Sequence, residues 1–447
     1  MKPTLVLTDR DGHQHTTTYT NEPLGQGGEG TVYPIPNNLA LALKLYHPHV
    51  LEQRGLLLHQ KLEAMLERNP NNPSLAWPTH IITNETNTFL GYAMPRLDIT
   101  AARAWGTLAN TADRRKTAPG WTVKHTISAI TNLATVFAGI HETGTVLGDV
   151  NESNVWVSNN TQTTIIDCDS FQITAKGTLH RSPVAKAEYV APEFVGAVFN
   201  KHARTSASDM FALAILAFQA LTGGTHPYDG IPTNLHEDLP PISQRIAGGH
   251  TPYLGQTTLL KQAPRVNMAP IPQRVTQLLK QTTNPDPRLR PTATMFSEIF
   301  SDVLEHLVPC ETTPTHYWDK RDHPTCLWCT STFDPFSISQ RTQTTQTPAG
   351  FNTPNTTQTL KRRAPTRATN NNPLHNQPTT PAHNPPATHT PARQPNHTLT
   401  TALLTIPTVT LALISPWRYP LTYLAGILSC YLITKTRTLP TPTGTPH

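Results

Sequence analysis

The chain has 447 residues, length for about three folded units of roughly 150 residues, but only 37% are hydrophobic, 14% are charged and 43 are prolines. Globular averages are nearer about 45–50% apolar and ~25% charged, so part of the chain lacks a core-forming composition. The net charge of +6 is also divided: residues 335–447 hold nine basic residues and no acid, whereas residues 1–334 hold 26 basic and 29 acidic, which excludes a basic folded body gripping nucleic acid.

Residues 5–19 read as two strands around an Asp11-Gly12 turn. Next comes Gly25-Gln-Gly27-Gly28-Glu-Gly30-Thr-Val32, a G-x-G-x-x-G-x-V pattern whose glycines let backbone N–H groups approach phosphate oxygens. Twelve residues beyond Val32, the apolar strand Leu41-Ala-Leu-Lys44-Leu-Tyr carries one lysine, a cation on rigid structure suited to ATP phosphates. A helix follows in which Glu63 and Glu67 share a face, and either can pair with Lys44.

Val123, Ile127, Ile130, Ala134, Phe137 and Ile140 line one face of a helix over 122–142. Directly after it, Asp149 is followed by Asn151 and Asn154, and thirteen residues on by Ile165-Ile-Asp167-Cys-Asp169. One carboxylate to orient an acceptor hydroxyl, with an amide and a second carboxylate to hold Mg²⁺ on ATP, is what phosphoryl transfer requires. Residues 207–221, apolar nearly all round and stopped by Gly223-Gly224, predict a buried helix. Strands in front and helices behind imply a two-lobed α+β body over residues 1–308.

Five cysteines, an odd number with three clustered late, and no apolar leader of the secretory kind point to a reduced, cytoplasmic body rather than a disulfide framework. Cys310, His316, Cys326 and Cys329 provide four soft ligands for a structural Zn²⁺, with His323 an alternative fourth, placing a zinc-ribbon-like appendage at 309–333. Residues 334–397, rich in Thr, Pro, Asn and Gln, have the composition of a disordered linker. Residues 398–417 and 419–434 are two uncharged apolar runs, of 20 and 16 residues, flanked by Arg393, Lys435 and Arg437. They read as a transmembrane hairpin, or one span with an interfacial piece, ahead of a cytoplasmic tail at 435–447.

From about residue 20 to 305 the sequence resembles the protein kinase superfamily. The glycine loop, Lys44, Asp149, Asn154 and Asp167 come in its order, followed by Ala191-Pro-Glu193, Asp209 and Arg290. The resemblance implies a bilobal fold (lobes about 1–95 and 98–308) with a hinge at Gly91–Leu97. It implies Mg²⁺ (or Mn²⁺) at Asn154 and Asp167, and Asp149, Lys44 and Asn151 as catalytic residues. The nucleotide site would comprise Gly25, Gly27, Gly28, Gly30, Val32, Ala42, Lys44 and Met94, with Glu63 the partner of Lys44. Glu193 would pair with Arg290, and Asp209 would hold the catalytic loop.

The usual His-Arg-Asp is here Leu147-Gly148-Asp149, the lysine two places on is Asn151, and Asp-Phe-Gly is Asp167-Cys168-Asp169. These departures resemble a bacterial subgroup of eukaryotic-like serine/threonine kinases, which also carries a Lys-Leu-x-Ala-Met helix, an Ala-Trp-Pro segment and a zinc ribbon. In this chain the matching residues are Lys61–Met65, Ala76–Pro78 and the cysteine cluster. Asp169 either joins the Mg²⁺ shell or stiffens its turn. Without an arginine at 148, no cation is evident to receive a phosphorylated activation segment. The expected function is a membrane-anchored, ATP-dependent serine/threonine kinase acting on cytoplasmic proteins, with a cognate phosphatase as a possible partner. The alternative is a pseudokinase scaffold that binds nucleotide and protein partners without efficient transfer; a small-molecule phosphotransferase is a third class.

Overall fold

The computed structural model describes residues 3–36 and 38–337. The apolar runs at 398–434, the tail at 435–447 and nearly all of the 334–397 linker lie outside the described residues. Among the described residues no helix is long and apolar enough to cross a membrane.

The N-terminal lobe is a seven-stranded antiparallel sheet in the order β2-β1-β6-β7-β5-β4-β3. Its strands are β1 (Leu5–Asp9), β2 (Gln14–Thr17), β3 (Gly25–Gln26), β4 (Gly30–Ile35), β5 (Asn38–Tyr46), β6 (His80–Asn84) and β7 (Phe89–Pro95). One face buries Leu5, Leu7, Leu43, Ile82 and Ala93. The other, with Ala42, Tyr46, Tyr92 and Met94, packs into the core shared with helix α1 (Pro48–Glu67). Because side chains alternate across a strand, Lys44 and Tyr46 share that second face, and the β5–β7 register sets Tyr92 directly beside Lys44.

The C-terminal lobe is built on α4 (Val123–Glu142), which follows α2 (Trp105–Ala109) and α3 (Thr111–Thr117) and precedes α5 (Ser206–Leu221). Thr122 caps α4 and Thr205 caps α5, each in a reciprocal capping box. Both helices fall within a residue of the sequence reading. In the small sheet β8 (Ala102–Ala104), β9 (Val155–Ser158) and β10 (Thr163–Ile165), ordered β10-β9-β8, the loop carrying Asp149 to Asn154 runs into the middle strand β9, and Asp167 follows the edge strand β10. Between Asp167 and Glu193 runs a hairpin, β11 (Ile173–Ala175) with β12 (Thr178–His180).

Beyond the helix Ala293–His306, strands Leu307–Pro309 and Tyr317–Asp319 pair, and a short helix spans Leu327–Thr330. This appendage is seated on the C-terminal lobe. Thr315 accepts from the Val123 N–H at 3.0 Å, and the Phe336 ring lies 4.8 Å from the Arg114 guanidinium. Phe336 is buried, so ordered packing continues past residue 334, where composition alone placed the start of the linker.

Candidate active site

The glycine-rich turn Gly27–Gly30 closes β3 onto β4, and Gly27 N–H donates to Gly30 O at 2.9 Å. A side chain at Gly30 would meet the Leu45 carbonyl at 2.6 Å, so this turn can lie tight over β5 only with glycine there. Below it opens a cavity of about 490 Å³. Of the sequence-derived residues, Gly25, Gly27, Gly28, Gly30, Val32, Lys44, Asp149, Asn151, Asn154 and Asp167 line it. Ala42 and Met94 do not: they are register partners buried in the sheet next to the cleft rather than on the wall of this cavity.

Lys44 comes from β5, Asp149 from the loop after α4, Asn154 from the start of β9 and Asp167 from the end of the β10 segment. Asp209, at the first turn of α5, accepts from the N–H groups of Leu147 (2.8 Å) and Gly148 (2.9 Å) and lies 2.9 Å from His141 Nε2. That buried carboxylate fixes the loop ahead of Asp149, as the resemblance implied. Arg290 donates to both oxygens of Glu193 at 2.8 and 2.7 Å, likewise as implied. Ala76-Trp-Pro78 also gains a role. Ala76 N–H donates to Ile165 O at 2.9 Å, and Trp77 donates to Met65 O while lying edge-on to Phe171. The segment thus ties α1 to the strand leading into Asp167.

Asp149 is largely buried, and burial raises its carboxyl above the usual range against the hydrogen bonds of Asn151 and Asn154. Asn154 Nδ2 donates to Asp149 O and Oδ2 at 3.0 and 3.2 Å, which leaves its amide oxygen available to a hard cation. Asp167 adopts a left-handed backbone (φ 56°), and its side chain is 37% exposed toward the cavity. An amide oxygen and a carboxylate side by side are the hard oxygen donors that suit Mg²⁺. Asn151 is spent locally: its amide donates to Asp149 O and Oδ1, and its oxygen accepts from Ser153 N–H. It positions Asp149 rather than facing a phosphate.

The partner of Lys44 is not Glu63. Glu63 is 58% exposed on the outer side of α1, 3.5 Å from His59, and Glu67 pairs with Lys176 at 2.6 Å. The face of α1 turned inward carries Leu58, Lys61, Leu62 and Met65 instead. Lys44 Nζ donates to both oxygens of Asp169 at 2.8 and 2.9 Å and to Asp167 Oδ1 at 3.0 Å. The hydroxyls of Tyr46 and Tyr92 donate to the same Asp169 carboxylate, each at 2.8 Å. Burial opposes the Lys44 charge, but Asp169 and Asp167 outweigh it and raise the ammonium above its usual range. Burial likewise opposes the Asp169 charge, and Lys44 and the two phenols override it and hold the carboxyl low. Asp169 therefore anchors Lys44, neither of the two roles its sequence context suggested. The sequence does carry a signal for this: tyrosines at 46 and 92 share a sheet face with the lysine, while every inward position of α1 lacks an acid.

Gly148 has φ +77°, and a Cβ there would stand 2.3 Å from Ser182 Oγ. Ser182 thus fills the room an arginine would need, and Arg204 donates to Gly148 O at 3.1 Å.

In the appendage, one ligand atom from each of Cys310, His316, Cys326 and Cys329 lies within 4.8 Å of the others, and the cysteines are free thiols. Cys310 Sγ is 3.4 Å from Cys329 Sγ, and His316 Nδ1 is 3.5 Å from Cys329 Sγ and 3.8 Å from Cys326 Sγ. The edges of a tetrahedron with arms of about 2.3 Å are close to these separations. His316 Nε2 lies 2.7 Å from Asp334, a carboxylate behind the imidazole of the kind that orients metal-binding histidines. His323 does not belong to the cluster.

Comparison with known proteins agrees with this geometry. The model of the "Protein kinase domain" family matches residues 19–301. Two curated relatives, both called Protein kinase YegI, come from Escherichia coli O157:H7 and Escherichia coli strain K12. The first is 30% identical over 348 residues, covering 74% of this chain and 50% of its own length. The second is 30% identical over 331 residues, covering 70% and 48% respectively. The chain thus spans about half the length of the curated relatives it matches.

Proposed function

Because the chain belongs to the protein kinase family, we propose that it is an ATP-dependent serine/threonine kinase acting on cytoplasmic proteins. The observation that carries this reading is the convergence of Lys44, Asp149, Asn154 and Asp167 on one cavity beneath a glycine turn. Bound Mg²⁺–ATP supplies the γ-phosphoryl group and a metal to shield its charge. Lys44 Nζ offers a fixed ammonium, positioned by Asp169. The Asn154 amide oxygen and an Asp167 carboxylate oxygen would hold the metal. Asp149, its carboxyl kept in place by Asn151 and Asn154, orients the acceptor hydroxyl and takes its proton at Oδ.

Three further assignments complete the proposal. Cys310, His316, Cys326 and Cys329 hold a structural Zn²⁺ that closes the appendage on the C-terminal lobe. The apolar residues 398–434 anchor the chain in the cell membrane with the kinase body on the cytoplasmic side. A cognate phosphatase reverses its reaction.

The test uses the full chain with γ-labelled ATP and a generic protein acceptor, beside an Asp149→Ala control, followed by phosphoamino-acid analysis. Label on serine and threonine that disappears in the control is the expected result. Nucleotide binding without transfer would favour the scaffold reading, for which the neutral, locally occupied Asn151 is the supporting observation. Label confined to a small molecule would favour the third class.

A further inference from the structure

Four carboxylates, from Glu29, Asp149, Asp167 and Asp169, line the nucleotide cavity, against the single ammonium of Lys44. A cleft so composed repels a polyphosphate unless its acids are otherwise engaged. Asp169 is bound by Lys44, Tyr46 and Tyr92. Asp167 is the carboxylate placed to meet a metal, and Asp149 is held by Asn151 and Asn154. Glu29 remains, in the glycine turn Gly27–Gly30, where no neighbouring residue of the turn offsets its charge.

Its partner comes from α1. Arg54 Nη2 donates to Glu29 Oε1, and the two side chains are 23% and 30% exposed, so solvent screens the pair only in part. His47, immediately ahead of α1, adds two contacts to the same turn: its N–H donates to Glu29 O at 2.9 Å, and its Nε2 donates to Gly27 O at 3.0 Å. Arg54 also breaks the helical backbone inside α1 (φ −148°, ψ 16°), so the two parts of α1 meet at the residue that reaches the turn. Glu29 stands between the nucleotide cavity and a second cavity of about 490 Å³, whose wall includes Arg54, Thr178 and Arg181. Glu63 and Glu67 pair elsewhere, and Lys44 takes its anchor from Asp169. Among the described residues, Glu29–Arg54 is therefore the only ion pair that joins α1 to the wall of the nucleotide cavity.

We propose that the Glu29–Arg54 pair is a charge gate, through which α1 sets the affinity of the cleft for Mg²⁺–ATP. With Arg54 in place, the carboxylate of the turn is neutralised and the polyphosphate is admitted. With Arg54 withdrawn, Glu29 is uncompensated on the cavity wall and disfavours the phosphates. The effect scales with the charge of the ligand, so adenosine is indifferent to it. Arg54 is a positioning residue, acting through Glu29 without touching the nucleotide. The gate rests on the reading of this cavity as a nucleotide site and does not depend on phosphoryl transfer.

The test is calorimetric titration of the full chain with Mg²⁺ and the β,γ-imido analogue of ATP, and separately with adenosine, at fixed ionic strength. Wild type, Arg54→Met, Glu29→Gln and the double variant are compared. Glu29→Gln changes one side chain of a surface turn, so the comparison holds even where Arg54→Met does not fold. Arg54→Met is expected to bind the analogue about fivefold more weakly, and Glu29→Gln about twofold or more tightly. The double variant should return to within about twofold of wild type, and adenosine should bind all four alike. Two results would overturn the gate: Arg54→Met within about twofold of wild type, or Glu29→Gln no tighter than wild type. The second is what a pair that merely tethers the turn would give, since either substitution then breaks the tether. Adenosine weakened as much as the analogue would also overturn it. If wild type binds neither ligand, the nucleotide reading itself fails, and the gate with it.

Discussion

Replacing Asp169 by asparagine keeps the side chain's shape but removes the charge on which four donor contacts converge. Lys44 Nζ lies 2.8 and 2.9 Å from its two oxygens, and the Tyr46 and Tyr92 hydroxyls each lie 2.8 Å away. An asparagine offers one acceptor oxygen and turns an NH₂ group toward a ring of donors. Lys44 is then left with Asp167, whose carboxylate is partly in solvent and screened. Removing one member of a buried pair costs about 3–5 kcal/mol, a large share of the ~5–15 kcal/mol by which domains are stable. Because Asp167 retains part of the interaction, a loss of about 3 kcal/mol is expected for Asp169→Asn. Glu63→Gln, on the exposed side of α1, should stay within about 0.5 kcal/mol. The assay is urea unfolding of wild type, Asp169→Asn, Lys44→Met and the double variant, with Glu63→Gln beside them. The cycle should return a coupling energy of about 2–3 kcal/mol between Lys44 and Asp169. Coupling under about 0.5 kcal/mol, or a larger loss in Glu63→Gln than in Asp169→Asn, would refute the assignment of Asp169 as the anchor of Lys44.

The same pair sets a pH dependence. Asp169 titrates below its ordinary 3.8 in the folded chain, so its contribution is complete above that pH and is lost as pH falls through the folded value. Lys44 titrates above its ordinary 10.5, so its share is complete below that pH and is lost only as pH rises through the folded value. Wild-type stability should therefore fall on acidification below about pH 4, and less steeply in Asp169→Asn, as read from urea midpoints. Gly148→Ala is expected to cost about 1–3 kcal/mol from its positive φ, plus the contact with Ser182; adding Ser182→Gly should recover the contact but not the backbone strain. Elemental analysis should find about one zinc per chain, and Cys326→Ser with Cys329→Ser should remove it. Chelation should lower the thermal midpoint of wild type and leave that of the double variant unchanged, since binding energy at such a site is folding energy.

Much of the site was legible because each motif is a short stretch whose chemistry is local. A glycine turn, a lysine on an apolar strand, and Asp149 and Asn154 five residues apart can all be recognised without knowing what lies across the cleft. The helices capped by Thr122 and Thr205 were equally readable, since capping and apolar spacing are properties of neighbouring residues. The partner of Lys44 was not, and sequence spacing pointed to Glu63. The carboxylate chosen is 125 positions away, brought in by the left-handed turn at Asp167 and accepted because β5 and β7 set two tyrosines on the same face.

The amino-acid order by itself determined the two-lobed plan and most of the residues that line the first cleft, but not the exclusion of Ala42, Met94 and Glu63 from it. Only the tertiary structure decided which charges are satisfied there and which remain. A cation's partner depends on distances and burial across elements that no local pattern encodes. Asp169 was taken by Lys44, Tyr46 and Tyr92, and buried Lys61 was left with no carboxylate partner among the described residues.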